Sequence, residues 1–370
     1  VSSAVPPVSL PRAPGKPARF EVVDWLRGAA VLLMIQTHLY DAWVSSPAKL
    51  TSAYQWTRFV GGIPSRLFLM LVGVSIALRF EAQLARGVTE RRALVRPVMK
   101  RGLEVLGLAY LFRVQEYLLG HMSASWHDLP VYWQDLFRID ILNCIGATML
   151  VVPLLAAPRR GRPAWLPASV AALLFVALGP VIGPAHFPTF IPTMLSAYIG
   201  GQRPMSWFPL FPWAAWPLAG VVVGHLWVRG SAGDRRRQAM VFVASGLAGL
   251  ALIGVVNGVR AVDPHVIRYP SELVQQMGPG SFFYRLGMNL ILAFLGWVAV
   301  EAVGKRFSLT RQFGRTSLLV YWIHVDLCYG LIAHKLGLYG RLNMVQATIG
   351  LGAMIALMLA VSLAKTRWRK

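Results

Sequence analysis

Acidic residues are scarce in this sequence. Fifteen Asp+Glu stand against 37 Lys+Arg, and charged residues of both signs make up only 14% of the chain. Soluble domains carry roughly a quarter charged residues, so this chain cannot cover a water-facing surface with polar groups. With 56% hydrophobic residues and a mean hydropathy of +0.53, its solvent must be largely lipid. Cysteine is also scarce. Cys144 and Cys328 both fall inside apolar runs, which excludes a disulfide framework and a thiolate metal site. The apolar core of a cleavable signal peptide is missing too: VSSAVPPVSLPRAPGKPARF is rich in Pro, Ser and Ala. Residues 1–20 therefore read as a disordered cytoplasmic tail. Residues 21–370 read as one membrane domain whose first helix acts as an uncleaved insertion signal.

What is abundant is apolar sequence in long runs. Runs able to cross a bilayer begin near Trp25, Phe59, Val98, Ile139, Ala164, Trp207, Gln238, Phe282, Thr316 and Val345, each lasting about 20 residues. The expected fold is all-α, a polytopic bundle of about ten transmembrane helices. The formal net charge of +22 would suggest a nucleic-acid partner in a soluble protein. Here the bases sit in short clusters between apolar runs, the pattern of a membrane-orientation signal, and nucleic acid is rejected.

Those clusters alternate along the chain. Bases crowd the N-terminal tail, the second connection (Arg79, Arg86, Arg91, Arg92, Arg96, Lys100, Arg101), the fourth (Arg159, Arg160, Arg162), the sixth (Arg229, Arg235, Arg236, Arg237), the eighth (Lys305, Arg306, Arg311, Arg315) and the C-terminus. Intervening connections are poor in them. One missed span would break the alternation, so it supports the helix count and sets both termini in the cytoplasm. The external stretches 120–137, 184–206 and 259–281 are long, aromatic and rich in Pro and Gly. Trp126, Tyr132, Trp133, Trp207 and Trp213 suit an interfacial belt.

Charged groups at membrane depth are costly and face the bundle interior. The alternation gives each a depth. His38, Asp41, Arg66, Arg113, Glu116, Asp140, Asn143, His324 and Asp326 gather in the outer half, as expected of a water-filled cavity open to the periplasm. Each has a plainer reading. Arg113 and Glu116 are three apart and can simply pair. Asp140 can cap a helix. His324 can be a hydrogen-bonded interior group.

Arg27 and His38 are more specific. Ten residues separate them, and at about 100° per residue eleven steps return to nearly the same helix face, displaced by about 16 Å. One stripe thus joins a cation at the cytoplasmic surface to an imidazole in the outer half. An anionic cofactor held at Arg27 can reach His38 with its reactive end. An interfacial Arg and an unrelated His would share this spacing.

The segment FEVVDWLRGAAVLLMIQTH resembles the first helix of the transmembrane acyltransferase superfamily, with Arg27 and His38 on the Arg-x10-His motif of its acyltransferase-3 enzymes. SRLFLMLVGVSIALR, FRIDILNCIGATMLV, WFPLFPWAAWPLAGVVVGH and GRTSLLVYWIHV resemble, in order, helices of the heparan-alpha-glucosaminide N-acetyltransferase-like branch, the last carrying His324. In that branch the animal enzyme has its catalytic His in the loop after the first helix and an Asn in the place of His38. This chain has no His in YDAWVSSPAKLTSAYQW, so the role must fall to His38, as in the acyltransferase-3 pattern, or the activity differs.

The resemblance implies transfer of an acyl group, most simply acetyl, from cytoplasmic acyl-CoA to a sugar or glycan acceptor at the periplasmic face of a bacterial inner membrane. The catalytic candidates are His38, His324, Asp140 and Glu116. Arg27, Arg92, Arg96, Lys100 and Arg101 are candidates to hold the donor's phosphates, since Arg binds phosphate through planar, bidentate donors. Asp41, Arg66, Asn143 and Asp326 are candidates for the acceptor. The expected partners are the lipid bilayer, acyl-CoA, the glycan and a second copy in a homo-oligomer; no metal is expected. Two other classes fit the intramembrane charges. One is a proton-coupled secondary transporter of a polar or anionic solute, although no inverted repeat or paired interrupted helices are visible. The other is a non-catalytic envelope scaffold, in which the polar cluster is structural.

Overall fold

The computed structural model describes residues 21–120, 133–158, 163–185, 187–188, 191–200, 205–231, 235–262, 278–304 and 306–368. The expected tail over 1–20 lies outside them, as do Trp126, Tyr132 and much of the three long external stretches. The described residues are helical throughout, with two isolated β-bridges, Val44 to Leu342 and Ile139 to Ser206. That is the outcome membrane sequence favours, because a helix satisfies every backbone N–H and C=O within its own segment.

Each of the ten apolar runs is a helix: α1 (Glu21–Trp43), α2 (Ile63–Leu84), α3 (Arg91–Gly120), α4 (Ile141–Ala156), α5 (Trp165–Ile182), α6 (Ala215–Gly230), α7 (Arg235–Val262), α8 (Pro279–Val303), α9 (Ser317–Tyr329) and α10 (Met344–Arg367). Short helices join them, among them Ser52–Gly61 before α2 and Leu309–Arg315 before α9. By length and apolarity seven of these segments are able to cross a membrane: those containing α2 and α5 through α10. The other three depart for visible reasons. α1 and α3 carry Asp24, Arg27, Asp41, Arg113 and Glu116 within their length, and α4 is apolar but only 16 residues long.

α1 is the hub. It packs against α2, α8, α9, α10, Ser52–Gly61 and Leu309–Arg315. Its apolar side chains divide between two cores: Val31, Ile35 and Leu39 meet Phe313, Val320 and Met358, while Leu26 and Ala30 meet Leu67, Met70 and Ala293. Small residues permit the closest crossings. A β-carbon on Gly73 of α2 would stand 1.8 Å from the carbonyl oxygen of Pro217 in α6, and one on Gly220 would stand 2.0 Å from that of Met70. On α1, a β-carbon at Gly28 would stand 1.6 Å from the carbonyl oxygen of Thr310. α6 is enclosed by this packing, with 72% of its apolar stretch buried, whereas α7 and α10 bury 22% and present Leu247, Leu250, Ile349 and Leu357 outward. Such a rim is what lipid tails require.

Candidate functional site

A cavity of about 740 Å³ opens where α1, Ser52–Gly61, α2, α3, α8 and α9 meet. His38 and Asp41 of α1 form one wall with Tyr329 at the end of α9. Tyr329 donates to Asp41 Oδ2 at 2.8 Å and lies 3.3 Å from His38 Nδ1. Because the tyrosine proton goes to the carboxylate, its oxygen is left to accept from Nδ1–H. The Nε2 of His38 then keeps its lone pair. His324 packs behind, its ring centroid 5.4 Å from that of His38. It is fully buried, its Nδ1 donates to the Val320 carbonyl at 2.6 Å, and its Nε2 has no partner.

A second wall is a cluster of charges. Arg113 of α3 is buried, with 3% of its side chain exposed. It pairs with Glu116 one turn on and with Asp140 Oδ2 at 2.8 Å. Arg138 reaches Glu116 Oε1 at 3.5 Å, Asp135 at 3.6 Å and Asp140 Oδ1 at 3.8 Å. Asp140 stands at the N-cap of α4, so its backbone geometry is fixed by the helix start and its carboxylate is fixed by two guanidiniums. Such oxygens are committed as acceptors, suited to orienting a ligand hydroxyl rather than to shuttling protons.

The third wall is cationic. Arg66 sits in the first turns of α2, 8% exposed. It donates to the Gly62 carbonyl at 2.5 Å and lies 5.2 Å over the Trp213 ring. Arg285 of α8 donates to the Phe59 carbonyl at 2.8 Å and stacks on the Phe59 ring at 4.4 Å. Arg58 and Trp207 complete this side. Trp207 and Trp213, assigned by the sequence to an interfacial belt, thus help to build the site.

Of the nine polar residues expected in the outer half, His38, Asp41, Arg66, Arg113, Glu116 and Asp140 line the cavity. The other three stand behind the walls. His324 backs His38. Asn143 is buried, its side-chain oxygen accepting from the Asp140 backbone N–H at 3.3 Å and its amide 3.5 Å from the Tyr198 hydroxyl. Asp326 is held by Gln115, whose oxygen accepts from Trp322 at 2.8 Å. The donor-side candidates are separate from the cavity walls. Arg27 lies about three turns toward the N-terminus of α1 from His38; it donates to Ser75 Oγ at 2.6 Å and is 3.6 Å from Asp24. Arg92, Arg96, Lys100 and Arg101 are exposed along α3, Arg101 pairing with Glu104 at 2.8 Å. Among the described residues no cluster of His, Cys, Asp or Glu is able to hold a metal ion.

Comparison with known proteins decides the lineage. Residues 19–256 match the family model described as heparan-alpha-glucosaminide N-acetyltransferase, catalytic. The chain belongs to that family. Among curated proteins none matches it. The family match takes in α1 through most of α7, and so His38, Asp41, Arg66 and the Arg113–Asp140 cluster. Arg285, His324, Asp326 and Tyr329 come from beyond it and complete the same site. Two of these, Arg285 and Tyr329, were not singled out from the sequence. Arg285 had a usable signal, a cation inside an apolar run. Tyr329 had none, because its role depends on a partner 291 positions away.

Proposed function

We propose that this chain is a membrane-embedded acetyltransferase that takes an acetyl group from cytoplasmic acyl-CoA and delivers it to a hydroxyl or amine of a glycan at the periplasmic face of a bacterial inner membrane. The observation that carries this reading is the chain Asp41–Tyr329–His38, which leaves an unprotonated imidazole nitrogen at the wall of a polar cavity, on the helix that also bears Arg27. Ten spans with both termini in the cytoplasm are the topology that goes with it. Of the helices that fall short in apolarity or length, α1 and α3 carry His38, Asp41, Arg113 and Glu116 into the cavity and α4 begins at the cavity residue Asp140, so their deficit is read as function rather than as a non-spanning segment.

The residues fit the donor on the cytoplasmic side. Arg27 and Ser75 offer a cation and a hydroxyl in hydrogen-bond contact. The exposed Arg92, Arg96, Lys100 and Arg101 offer further phosphate partners. Acyl-CoA, when bound, supplies an activated thioester. His38 then acts as general base: Nε2 takes the proton of the acceptor O–H or N–H as that atom attacks the thioester carbonyl. The C–S bond breaks, and the same proton passes to the departing CoA thiolate. Tyr329 and Asp41 hold the ring and stabilise the imidazolium that forms in between. Arg113 and Arg66 are the cations nearest at hand for the developing oxyanion. Asp140 and Glu116 orient acceptor hydroxyls, and His324 keeps the His38 ring in place.

The test is acetyl transfer by the purified chain from acetyl-CoA to glucosamine, wild type beside His38→Ala. The expected loss is about 10²- to 10⁴-fold in turnover with acetyl-CoA affinity retained. Undiminished transfer in that variant would remove His38 from the mechanism.

A further inference from the structure

The charge balance of the cavity is uneven. Arg113 and Arg138 share Glu116, Asp135 and Asp140. Arg66 and Arg285, on the opposite wall, have no carboxylate partner among the described residues. A guanidinium carries five N–H donors. Arg66 uses one nitrogen on the Gly62 carbonyl, and Arg285 one on the Phe59 carbonyl and the Met288 sulfur. The two groups also converge. A β-carbon built on Gly62 would lie 3.1 Å from an Arg285 nitrogen and 3.2 Å from an Arg66 nitrogen, so glycine there keeps the space between two like charges open.

This arrangement is by itself unfavourable on three counts. Arg66 is more than nine-tenths buried. The two cations repel one another. Arg66 also stands in the first turn of α2, where the helix dipole favours anions instead. The Nε2 of Gln36, which lines the same cavity, is also buried without a hydrogen-bond partner. One planar anion between the guanidiniums offsets their repulsion and occupies their spare N–H donors.

We propose that Arg66 and Arg285 form a subsite for an anionic group of the acceptor, a carboxylate, sulfate or phosphate ester on the glycan. This rests on the acetyltransferase reading for the identity of the ligand as acceptor. The subsite shares its cavity with His38, so it selects acidic over neutral sugars and fixes which hydroxyl or amine meets the imidazole.

The experiment is ligand-induced thermal stabilisation of the full chain in detergent, at constant ionic strength, with D-glucuronate, inorganic sulfate, inorganic phosphate and neutral D-glucose as probes. Wild type should be stabilised saturably by at least one anion and not by glucose. Arg285→Gln, at the less buried of the two positions, should weaken the half-saturation point about ten-fold or more, and Arg66→Gln should do the same. Equal affinity for glucose, no saturable response to any anion, or anion affinity unchanged in Arg285→Gln would overturn the subsite. So would competition by CoA that vanishes in Arg285→Gln, because the cations would then serve the donor's phosphates. The two readings fail separately. Transfer without anion binding removes the subsite alone. Anion binding in a folded wild type that transfers nothing removes the acetyltransferase and leaves a site for an anionic solute.

Discussion

At the scale of single residues, the proposed mechanism makes His38 a base held in place by Tyr329 and Asp41. Tyr329→Phe removes one hydroxyl and cuts the link between His38 and Asp41 while keeping the ring that packs 5.6 Å from the imidazole. Turnover should fall about ten-fold with KM for acetyl-CoA unchanged; steady-state kinetics on the purified variant would check it, and wild-type turnover would show that the tyrosine only fills space. Asp140 has a different job. Its loss leaves the buried Arg113 guanidinium with Glu116 alone, so Asp140→Ala should lower stability by on the order of 3 kcal/mol, read as a drop in melting temperature in detergent. The sequence marked both aspartates as site residues from their depth. It could not separate an orienting carboxylate from a charge-balancing one, because that difference lies in which cation stands across the cavity. Helical periodicity placed Arg27 and His38 on one face of α1 but left open whether they work together. The link from His38 to Tyr329 was not, since no spacing rule connects two helices 291 residues apart.

At the scale of elements, apolar length predicted about ten spans; a helix stands at each of those runs, but seven segments among the described residues are long and apolar enough to cross a membrane. Boundaries were less legible: the run expected from Val98 is a helix from Arg91, that from Trp207 a helix from Ala215, and at Phe59 two helices, Ser52–Gly61 and α2, follow one another with Gly62 between. What apolarity cannot encode is which helices touch. Small residues carry part of that information, but only as a permission for close approach. At the α2–α6 crossing the approach is used: Gly73→Val should force the helices apart and cost about 1–3 kcal/mol, whereas Gly254→Ala on α7, where a β-carbon meets nothing within 4 Å, should leave the melting temperature unchanged. A similar drop in both variants would mean that the crossing is loosely packed.

At the scale of the whole molecule, the site sits at one end of a bundle whose orientation follows from basic residues outside it. The expected topology sets Ser52 outside and Thr89 inside. Cys144 and Cys328 are buried, so native thiols should stay silent toward a membrane-impermeant maleimide. In intact cells Ser52→Cys should label and Thr89→Cys should not until the membrane is opened; the reverse pattern would invert the protein and bring the cavity to the cytoplasmic face. In the proposed mechanism that orientation brings donor phosphates and acceptor from opposite sides to the imidazole of α1. The most direct measurement is release of free CoA thiol from acetyl-CoA by the chain in proteoliposomes, with and without glucosamine, wild type beside His38→Ala. Acceptor-dependent release by wild type that falls at least about 100-fold in the variant, with acetyl-CoA binding intact, is the expected result. Release that is equal in the two proteins, or well-folded wild type that neither binds nor cleaves acetyl-CoA, would contradict it.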